Sequence, residues 1–365
     1  MTLPQEVCGL ICQQPFLSKK DLRTLCSVSY SFRDEAERLL YTTVRLRTLR
    51  HIRTWCVSLG SRPHLAPRVR LLSFSMPPAA NLEAADYSLL VCALGACTNL
   101  KELQFLSDDL SPEGNAKRTF FLEGHSWQLL TFTNSYFNPV MLRSFFEAQS
   151  NIHTLVMRTG EHESPKPVYL PRSLITLDTS AAVLRSVANA SGMGVKRLQY
   201  HMAHARGIDE LPTFVALARL SHSLTTLSIE RHGMDEGMDV AVVAACIAAQ
   251  LPHLRYFKLM DNTIRSSDSL VPLLPFAINF EHIETLIIKP ATRLHEEEDT
   301  LRYIYRELDT ESGRSNAAER IMHNLPTLKF LTLVLDQDYG YERREGNAIT
   351  NLGVVALDAN GWMEA

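Results

Sequence analysis

Apolar residues recur along most of this chain in a fixed order: one apolar residue, two variable residues, a second apolar residue, one variable residue and a third apolar residue. The pattern occurs eleven times between residues 41 and 334. The second apolar residues of the copies are Val44, Leu72, Leu103, Leu130, Leu155, Leu177, Leu198, Leu227, Phe257, Leu286 and Leu331. Alternation of apolar and variable positions over a few residues is typical of a strand with one buried face. The pattern therefore predicts eleven short strands.

Successive copies lie 21 to 31 residues apart, except for a last step of 45 residues. Helix-like stretches separate them, for example at 88–96, 140–148 and 239–250. Strands that alternate with helices at this period are typical of leucine-rich repeats. The predicted fold class is α/β, with a leucine-rich-repeat solenoid over residues 41–335 that has a curved parallel sheet inside and helices outside. A doubly wound parallel sheet is the alternative, but its strands are near-continuous apolar runs, whereas polar residues interrupt these strands.

One enlarged repeat, at 290–326, breaks the period and is rich in acidic residues. Leu294, Leu301, Ile304, Tyr305 and Leu308 fall at helical spacing within it. We therefore predict an acidic amphipathic helix over 295–311, a loop at 310–316 and a second helix at 317–325. Residues 336–365 are predicted to form a polar tail with a short C-terminal cap near 347–359.

The first forty residues predict a separate domain of three short helices. Val7, Leu10 and Ile11 follow a Thr-Leu-Pro-Gln start signal, and Ser18 with Asp21 marks a second helix start. Three helices of this size cannot bury enough apolar surface to be stable alone. The apolar stripe of the second helix, Leu22, Leu25 and Val28, is predicted to be exposed and must therefore be covered by the rest of the chain or by a partner.

This segment resembles an F-box, and in particular the F-box of fungal proteins, over about residues 2–42. The resemblance lies in the order and spacing of LPQEV, LI, LSKKDL and VSYSFRDEA. It implies docking onto the Skp adaptor of a cullin–RING ubiquitin ligase. The family's contact positions correspond here to Leu3, Pro4, Ile11, Leu17, Leu22, Leu25, Val28 and Ser29. Five residues separate Ile11 from Leu17, more than the usual three, so either Phe16 or Leu17 fills the family's leucine position. The alternative is that the three helices only cap the repeats.

A candidate substrate-binding surface lies on the late strands, at the positions predicted to face away from the core. At these positions the early and middle strands have small or polar residues, whereas the late strands have aromatic, Met and Lys side chains. Aromatic and Met side chains are enriched in binding hot spots. These candidate substrate-binding residues are Tyr256, Lys258, Met260, Ile287, Lys289, Phe330 and Val334. The alternative is that the acidic insertion or the tail folds over this patch and hides it.

Composition narrows the function classes. The chain has 365 residues, 45% hydrophobic and 21% charged, with a net charge of −3. Residues 1–75 carry 12 Lys and Arg against 5 Asp and Glu, and a weakly basic head on an acidic body argues against nucleic-acid binding by the whole chain. No apolar run approaches the roughly 20 residues of a membrane span, and no signal peptide is expected. Seven cysteines without a CxxC motif predict reduced thiols in the cytoplasm or nucleus.

The sequence offers no catalytic constellation, metal-ligand set or cofactor motif. A Gly-Arg-Ser-Asn-Ala run at 313–317 lacks the second glycine and the preceding strand of a nucleophile elbow. We therefore predict a protein that is not itself an enzyme. The predicted function is substrate recognition in a Skp–cullin–F-box ubiquitin ligase, with an unidentified protein as substrate. The alternative is a leucine-rich-repeat scaffold that binds a partner without any ligase.

Overall fold

The computed structural model describes residues 3–77, 81–107, 119–158, 166–203, 207–234, 237–265, 280–295, 300–358 and 360–364. The chain forms two compact units, residues 1–160 and 161–365. In each unit, parallel strands alternate with helices along the chain. The predicted boundary between a head at 1–40 and the repeats falls inside the first unit and stays a prediction.

The first unit contains six α-helices and five strands among its described residues, and shorter 3-10 helices at 63–68, 120–122 and 139–142. The helices are α1 (Gln5–Cys12), α2 (Lys19–Leu25), α3 (Tyr30–Thr42), α4 (Leu49–Ser61), α5 (Ala84–Ala96) and α6 (Arg143–Ala148). The strands are β1 (Thr43–Leu46), β2 (Leu71–Ser75), β3 (Glu102–Leu106), β4 (Thr131–Asn134) and β5 (Thr154–Met157).

Helices α1 to α3 form a small domain with a core of its own. The start of α2 is a capping box, in which the Ser18 hydroxyl accepts from the Asp21 amide and the Asp21 carboxylate accepts from the Ser18 amide. The buried residues of the core are Cys8, Cys12, Leu22, Phe32 and Ala36, and Leu17, Leu25, Cys26, Leu39 and Leu40 pack against them. The predicted exposed stripe is therefore wrong for Leu22 and Leu25, because these side chains already cover the inside of their own domain.

A half-buried polar contact between Arg68 and Asp34 joins the three-helix domain to the first repeat. Arg68 Nη1 donates to the backbone oxygen of Asp34 at 2.6 Å, and its other terminal nitrogen pairs with the Asp34 carboxylate. Asp34 lies on α3, whereas Arg68 ends the 3-10 helix that precedes β2. The three helices therefore meet the repeats at a defined place within the unit.

The strands β1 to β5 are parallel and paired in chain order. Val44, Leu72, Leu103, Phe132 and Leu155 lie side by side in this register and are buried. The side chains on this face stack from repeat to repeat, as in the parallel rings of Phe74 and Phe105, 5.0 Å apart. This continuous core is the arrangement that the repeated pattern predicts.

The fourth copy of the pattern is displaced by two residues from its predicted register. Phe132, not Leu130, pairs with Leu103 of β3. Leu129 and Phe132 are buried, whereas Leu130 is exposed. The apolar residues Trp127, Leu129, Leu130 and Phe132 fit two registers in the sequence, and only packing against the neighbouring strand decides between them. The other ten copies have the predicted register.

The second unit contains ten strands and five α-helices among its described residues, with 3-10 helices at 306–309 and 345–347. The strands are β6 (Thr176–Ser180), β7 (Arg197–Met202), β8 (Thr226–Met234), β9 (Tyr256–Arg265), β10 (Thr285–Lys289), β11 (Thr292–His295), β12 (Thr300–Tyr303), β13 (Phe330–Val334), β14 (Asp338–Arg343) and β15 (Ile349–Val354). The helices are α7 (Ala181–Ser186), α8 (Gly207–Ala218), α9 (Val240–Gln250), α10 (Glu311–Asn324) and α11 (Gly361–Glu364).

Six of these strands, β6 to β10 and β13, are parallel neighbours in chain order. Their core-facing residues, including Leu198, Leu227, Phe257, Leu286 and Leu331, are fully buried. The predicted parallel sheet of strand–helix repeats is confirmed in each unit. The doubly wound alternative is not supported, because these repeat strands follow one another in chain order without the reversal of strand order of a doubly wound sheet. The additional parallel pairing of β9 with β11 involves a strand of the enlarged repeat.

The described residues of the enlarged repeat do not form the predicted acidic helix over 295–311, of which residues 296–299 lie outside the described part of the chain. The enlarged repeat contains an antiparallel pair, β11 and β12, in which Leu294 is the register partner of Leu301. Ile304, Tyr305 and Leu308 are buried in the turns that follow. The helical spacing of these five residues was therefore coincidental, and a strand pair followed by a 3-10 turn uses them differently.

The predicted loop at 310–316 is the first half of α10. Thr310 caps this helix by accepting from the amide of Gly313. A Cβ atom at Gly313 would lie 1.8 Å from the backbone oxygen of Glu307, so only glycine lets the helix begin against the preceding 3-10 turn. The predicted second helix, at 317–325, is the remainder of α10.

The predicted polar tail is also ordered differently. Strands β14 and β15 extend the sheet from β13 as antiparallel neighbours. The short helix α11 follows them, and its Trp362 is among the largest fully buried side chains of the protein. Within the cap predicted near 347–359, residues 349–354 form the strand β15 at the end of the sheet.

Candidate functional site

Helix α1 has two apolar sides. Cys8, Gly9 and Cys12 are buried on one side, where α1 packs against α3. At 100° per residue, Val7, Leu10 and Ile11 point to the opposite side, and all three are exposed, Leu10 by 64%. We call these three residues the α1 outer face. Nothing in the described part of the first unit covers it.

Other apolar side chains of the same three-helix domain are also exposed. Phe16 lies in the loop before α2, and Val28 and Tyr30 flank the start of α3. Monomeric proteins rarely expose large apolar side chains in such numbers within forty residues. The three-helix domain is therefore the strongest candidate for a protein-docking surface in the first unit.

The eight predicted adaptor contacts divide into two groups in the structure. Leu3, Pro4, Ile11, Val28 and Ser29 are exposed, and Ser29 also caps α3 by accepting from the Phe32 amide at 3.3 Å. Leu17, Leu22 and Leu25 instead face the core of the three helices.

The sequence left open whether Phe16 or Leu17 fills the family's leucine position. In the structure Leu17 packs against the core of the three helices, and Phe16 is exposed. Val7 and Leu10 are also exposed, although they are not among the contacts expected from the F-box resemblance. Their helical spacing from Ile11 on α1 could have indicated that they share its face.

The sheet in each unit has a second face, which carries the residues between the core-facing ones and is called the outer face here. In the first unit it is largely open: Arg45 is exposed, and Gln104, Thr131, Thr133 and Val156 are half-buried. In the second unit it is largely closed. The buried outer-face residues there are Thr176, Asp178, Gln199, Thr226, Ser228, Tyr256, Lys258, Ile287 and Val334.

The predicted substrate-binding patch is covered by the chain itself. Tyr256, Ile287 and Val334 form one buried cluster with Trp362, and Met260, Leu357 and Met363 pack against it. The expectation that Tyr256, Ile287 and Val334 are exposed is therefore wrong, because the residues after β15 cover them. Lys258 is also buried, against the same expectation. Phe330 is exposed, and Met260 and Lys289 are half-buried. Substrate binding by this patch stays a prediction.

An ion cluster lies on the outer face of β6 to β8, in which Asp178 is buried and His201 and Glu230 are half-buried. His201 Nε2 lies 2.9 Å from Asp178 Oδ1, and His201 Nδ1 lies 3.1 Å from Glu230 Oε2. Burial lowers the pKa of His201, but hydrogen bonds to the two carboxylates and their charges outweigh burial and raise it to about 9. The hydrogen bond from His201 in turn lowers the pKa of Glu230. A histidinium therefore bridges three adjacent strands at neutral pH.

The His201→Gln variant tests this bridge. Because the folded-state pKa is above the unfolded value, the stabilisation is fully present below about pH 6.5 and is lost as pH rises through about 9. We expect the wild-type free energy of unfolding to fall by on the order of 2 kcal/mol between pH 6.5 and 9.5. The variant should lack this slope in urea unfolding curves, and the exposed His153→Gln control should keep it. Equal slopes in the wild type and His201→Gln would contradict the bridge.

A second ion network surrounds Arg231, which follows Glu230 on β8, and it is fully buried. Arg231 Nη1 donates to Asp261 Oδ2 at 2.8 Å, Nε donates to Glu210 Oε1 at 2.9 Å, and Nη2 donates to the backbone oxygen of Met238 at 2.7 Å. The Met238 amide donates to the second oxygen of Glu210, and Thr263 donates to Asp261. Each charged group is thus hydrogen-bonded within the protein, which is typical of a structural network.

The described residues offer little for catalysis or metal binding. Burial raises the pKa of Cys56 and of Cys97 to about 12, so these thiols are protonated at neutral pH and are not activated nucleophiles. All seven cysteines are free. Within the described parts of the chain, no group of three or more His, Cys, Asp or Glu side chains is arranged to hold a metal ion. No helix there is both long and apolar enough to cross a bilayer.

Comparison with known proteins shows similarity to solved structures but to no known family. No protein-family model matches the chain, and no curated protein matches it. A solved structure of the leucine-rich repeat-containing protein LegL7 from Legionella pneumophila is similar over 88% of each chain, with 12% sequence identity and a TM-score of 0.43. Similarity at this level does not identify a shared function.

Proposed function

We propose that this protein is the substrate-recognition subunit of a Skp–cullin–F-box ubiquitin ligase. The three N-terminal helices dock the Skp-type adaptor, and the sheet of the repeats binds the protein to be ubiquitinated. In this role the chain carries no catalytic residue itself, and the ligase chemistry belongs to its partners.

One observation supports the docking step above the others. The α1 outer face is apolar and exposed although the opposite side of α1 already packs on a complete small core. Apolar surface that the fold does not need is stabilised by burial against a partner. This surface lies within the segment whose motif order resembles an F-box, and five of the eight residues expected from that resemblance are exposed beside it.

Replacing Leu10 and Val28 with glutamate together tests the docking. Both side chains are more than half exposed, so the variant should fold normally. In the complex it would bury two unpaired carboxylates, and we expect the affinity for a purified Skp-type adaptor to fall at least about 100-fold. Isothermal titration calorimetry with the full-length chain measures this change.

Val57→Glu is the matched control, because Val57 is an equally exposed apolar residue on α4, outside the three-helix domain. It should bind the adaptor as the wild type does. Equal affinities of the wild type and of Leu10→Glu/Val28→Glu would exclude this surface as the docking site.

A scaffold that binds partners without a ligase is the second candidate function. The open, polar outer face of the first unit favours it, because that face offers a binding surface in the absence of any adaptor. Failure of the wild-type chain to bind any Skp-type adaptor, together with retained binding of a partner protein, would favour the scaffold.

A further inference from the structure

A short segment at the end of the described chain covers part of the outer face of the second unit. We call residues 357–364 the covering segment. Its Leu357, Trp362 and Met363 contact a diagonal of side chains that crosses three neighbouring strands, Tyr256 of β9, Ile287 of β10 and Val334 of β13. Trp362 is 1% exposed. Trp362 is therefore the anchor of the segment.

The covering segment is held on the sheet by side chains. Its described backbone hydrogen bonds are local: the Gly361 amide donates to the Asp358 oxygen, and the Met363 amide donates to the Asn360 oxygen. The last described backbone bond to the sheet comes earlier, from the Val355 amide to the Asp338 oxygen. The segment can therefore leave the outer face without breaking the hydrogen-bond ladder of the sheet.

One buried polar atom beside the segment indicates that it is an imperfect occupant. Helix α11 lies against β7 and β8. On the outer face of β8, Ser228 Oγ is buried and has no hydrogen-bond partner. A buried polar atom without a partner is costly. A different occupant that supplies a hydrogen bond to Ser228 would bind the face better than the covering segment does.

Charge distinguishes the segment from the face that it covers. The covering segment carries Asp358 and Glu364 on either side of Trp362, whereas Lys258 and Lys289 lie on the outer faces of β9 and β10. Opposite charges on the two surfaces favour an acidic occupant.

We propose that the outer face of β9, β10 and β13 is a peptide-binding surface occupied by the covering segment, and that partner segments with a buried aromatic residue flanked by apolar and acidic residues replace it. This proposal specifies the kind of peptide that the sheet would bind. It rests on the proposed function only in that the partner is then a protein to be ubiquitinated. Displacement exposes the apolar diagonal, and the partner's aromatic side chain takes the place of Trp362.

A binding experiment in trans tests this surface. A chain that ends at Ala356 is mixed with a fluorescein-labelled peptide of residues 357–365, and binding is followed by fluorescence anisotropy. We expect a dissociation constant of about 10–100 µM. A peptide with alanine in place of Trp362 should bind at least about ten-fold more weakly. The full-length chain should bind the peptide more weakly than the shortened chain, because its own segment competes.

Two substitutions in the shortened chain localise the site. Val334→Ser removes an apolar contact of the diagonal and should weaken peptide binding several-fold. Val242→Ser is the matched control, because Val242 is an exposed valine on α9, outside the buried cluster and outside the sheet. It should leave the affinity unchanged.

If the shortened chain does not fold, the full-length Trp362→Ala variant replaces it and should gain peptide binding over the wild type. A folded shortened chain, or a folded Trp362→Ala chain, that does not bind the peptide at up to about 1 mM would overturn the proposal. Equal binding of the peptide by full-length and shortened chains would also overturn it. None of these measurements involves the Skp-type adaptor, so failure here is distinguishable from failure of the docking experiment.

Discussion

Replacing Arg231 with methionine should destabilise the second unit by about 3–5 kcal/mol, because the change leaves the Glu210 and Asp261 carboxylates buried without their cation. The guanidinium and both carboxylates are at most 1% exposed, so water cannot replace the lost partner. Methionine keeps much of the side-chain volume, and the effect therefore reports the charge network more than a cavity. Urea unfolding followed by circular dichroism measures the change.

Arg255→Met is the control for this prediction. Arg255 pairs with Glu284 at 3.8 Å, and its side chain is 68% exposed, so the expected change is below about 1 kcal/mol. Equal destabilisation by the two substitutions would show that the buried network does not hold β8 and β9 to α8.

Replacing Phe132 with aspartate should prevent the first unit from folding. Phe132 is fully buried, and its ring lies 4.9 Å from that of Phe145 and 6.0 Å from that of Phe146. The change removes a core aromatic, worth about 3–5 kcal/mol, and places an unpaired charge between stacked repeats. Repeats contact only their neighbours, so the loss spreads along the array.

Thr133→Asp is the matched control, one residue along β4 and on the half-buried outer face. We expect a change within about 1 kcal/mol. Circular dichroism and the soluble yield of the two variants measure the difference. Equal loss of structure in both would contradict the assignment of the core and outer faces of β4.

The repeated pattern predicted the strands well because each copy carries its own local signal. The apolar residues of ten copies have the register that their spacing indicates, and only the apolar run around Leu130 allowed a second choice. The three N-terminal helices were also predictable, since the capping residue Ser18 marks the start of the second helix. The third helix begins two residues earlier than a cap at Ser31 would place it, because Ser29 caps it. Local patterns of this kind need no knowledge of the tertiary fold.

Long-range packing explains what the sequence did not reveal. Small polar residues on the outer face, such as Thr226, were expected to face solvent because they alternate with the core-facing residues. Thr226 is in fact fully buried. The contact between Trp362 and Tyr256 joins residues more than one hundred positions apart, and no local pattern encodes it. The outer-face patch was identified correctly as apolar, but its cover comes from the same chain.

The prediction of a helix in the acidic enlarged repeat was wrong for a different reason. Five apolar residues at helical spacing also suit a strand pair followed by a 3-10 turn, and the two interpretations differ only in which residues pair. The close approach of Glu307 to Gly313 fixes the start of α10, and that approach is a tertiary contact. The same ambiguity does not arise in the repeats, because their pattern recurs.

Hydrogen exchange of the full-length chain, with and without a purified Skp-type adaptor, tests the docking role of the three-helix domain most directly. The adaptor should slow amide exchange in peptides that cover α1 and residues 26–32, and it should leave the peptides of β9, β10 and β13 unchanged. Exchange that is identical with and without the adaptor, or protection confined to the repeats, would contradict the account.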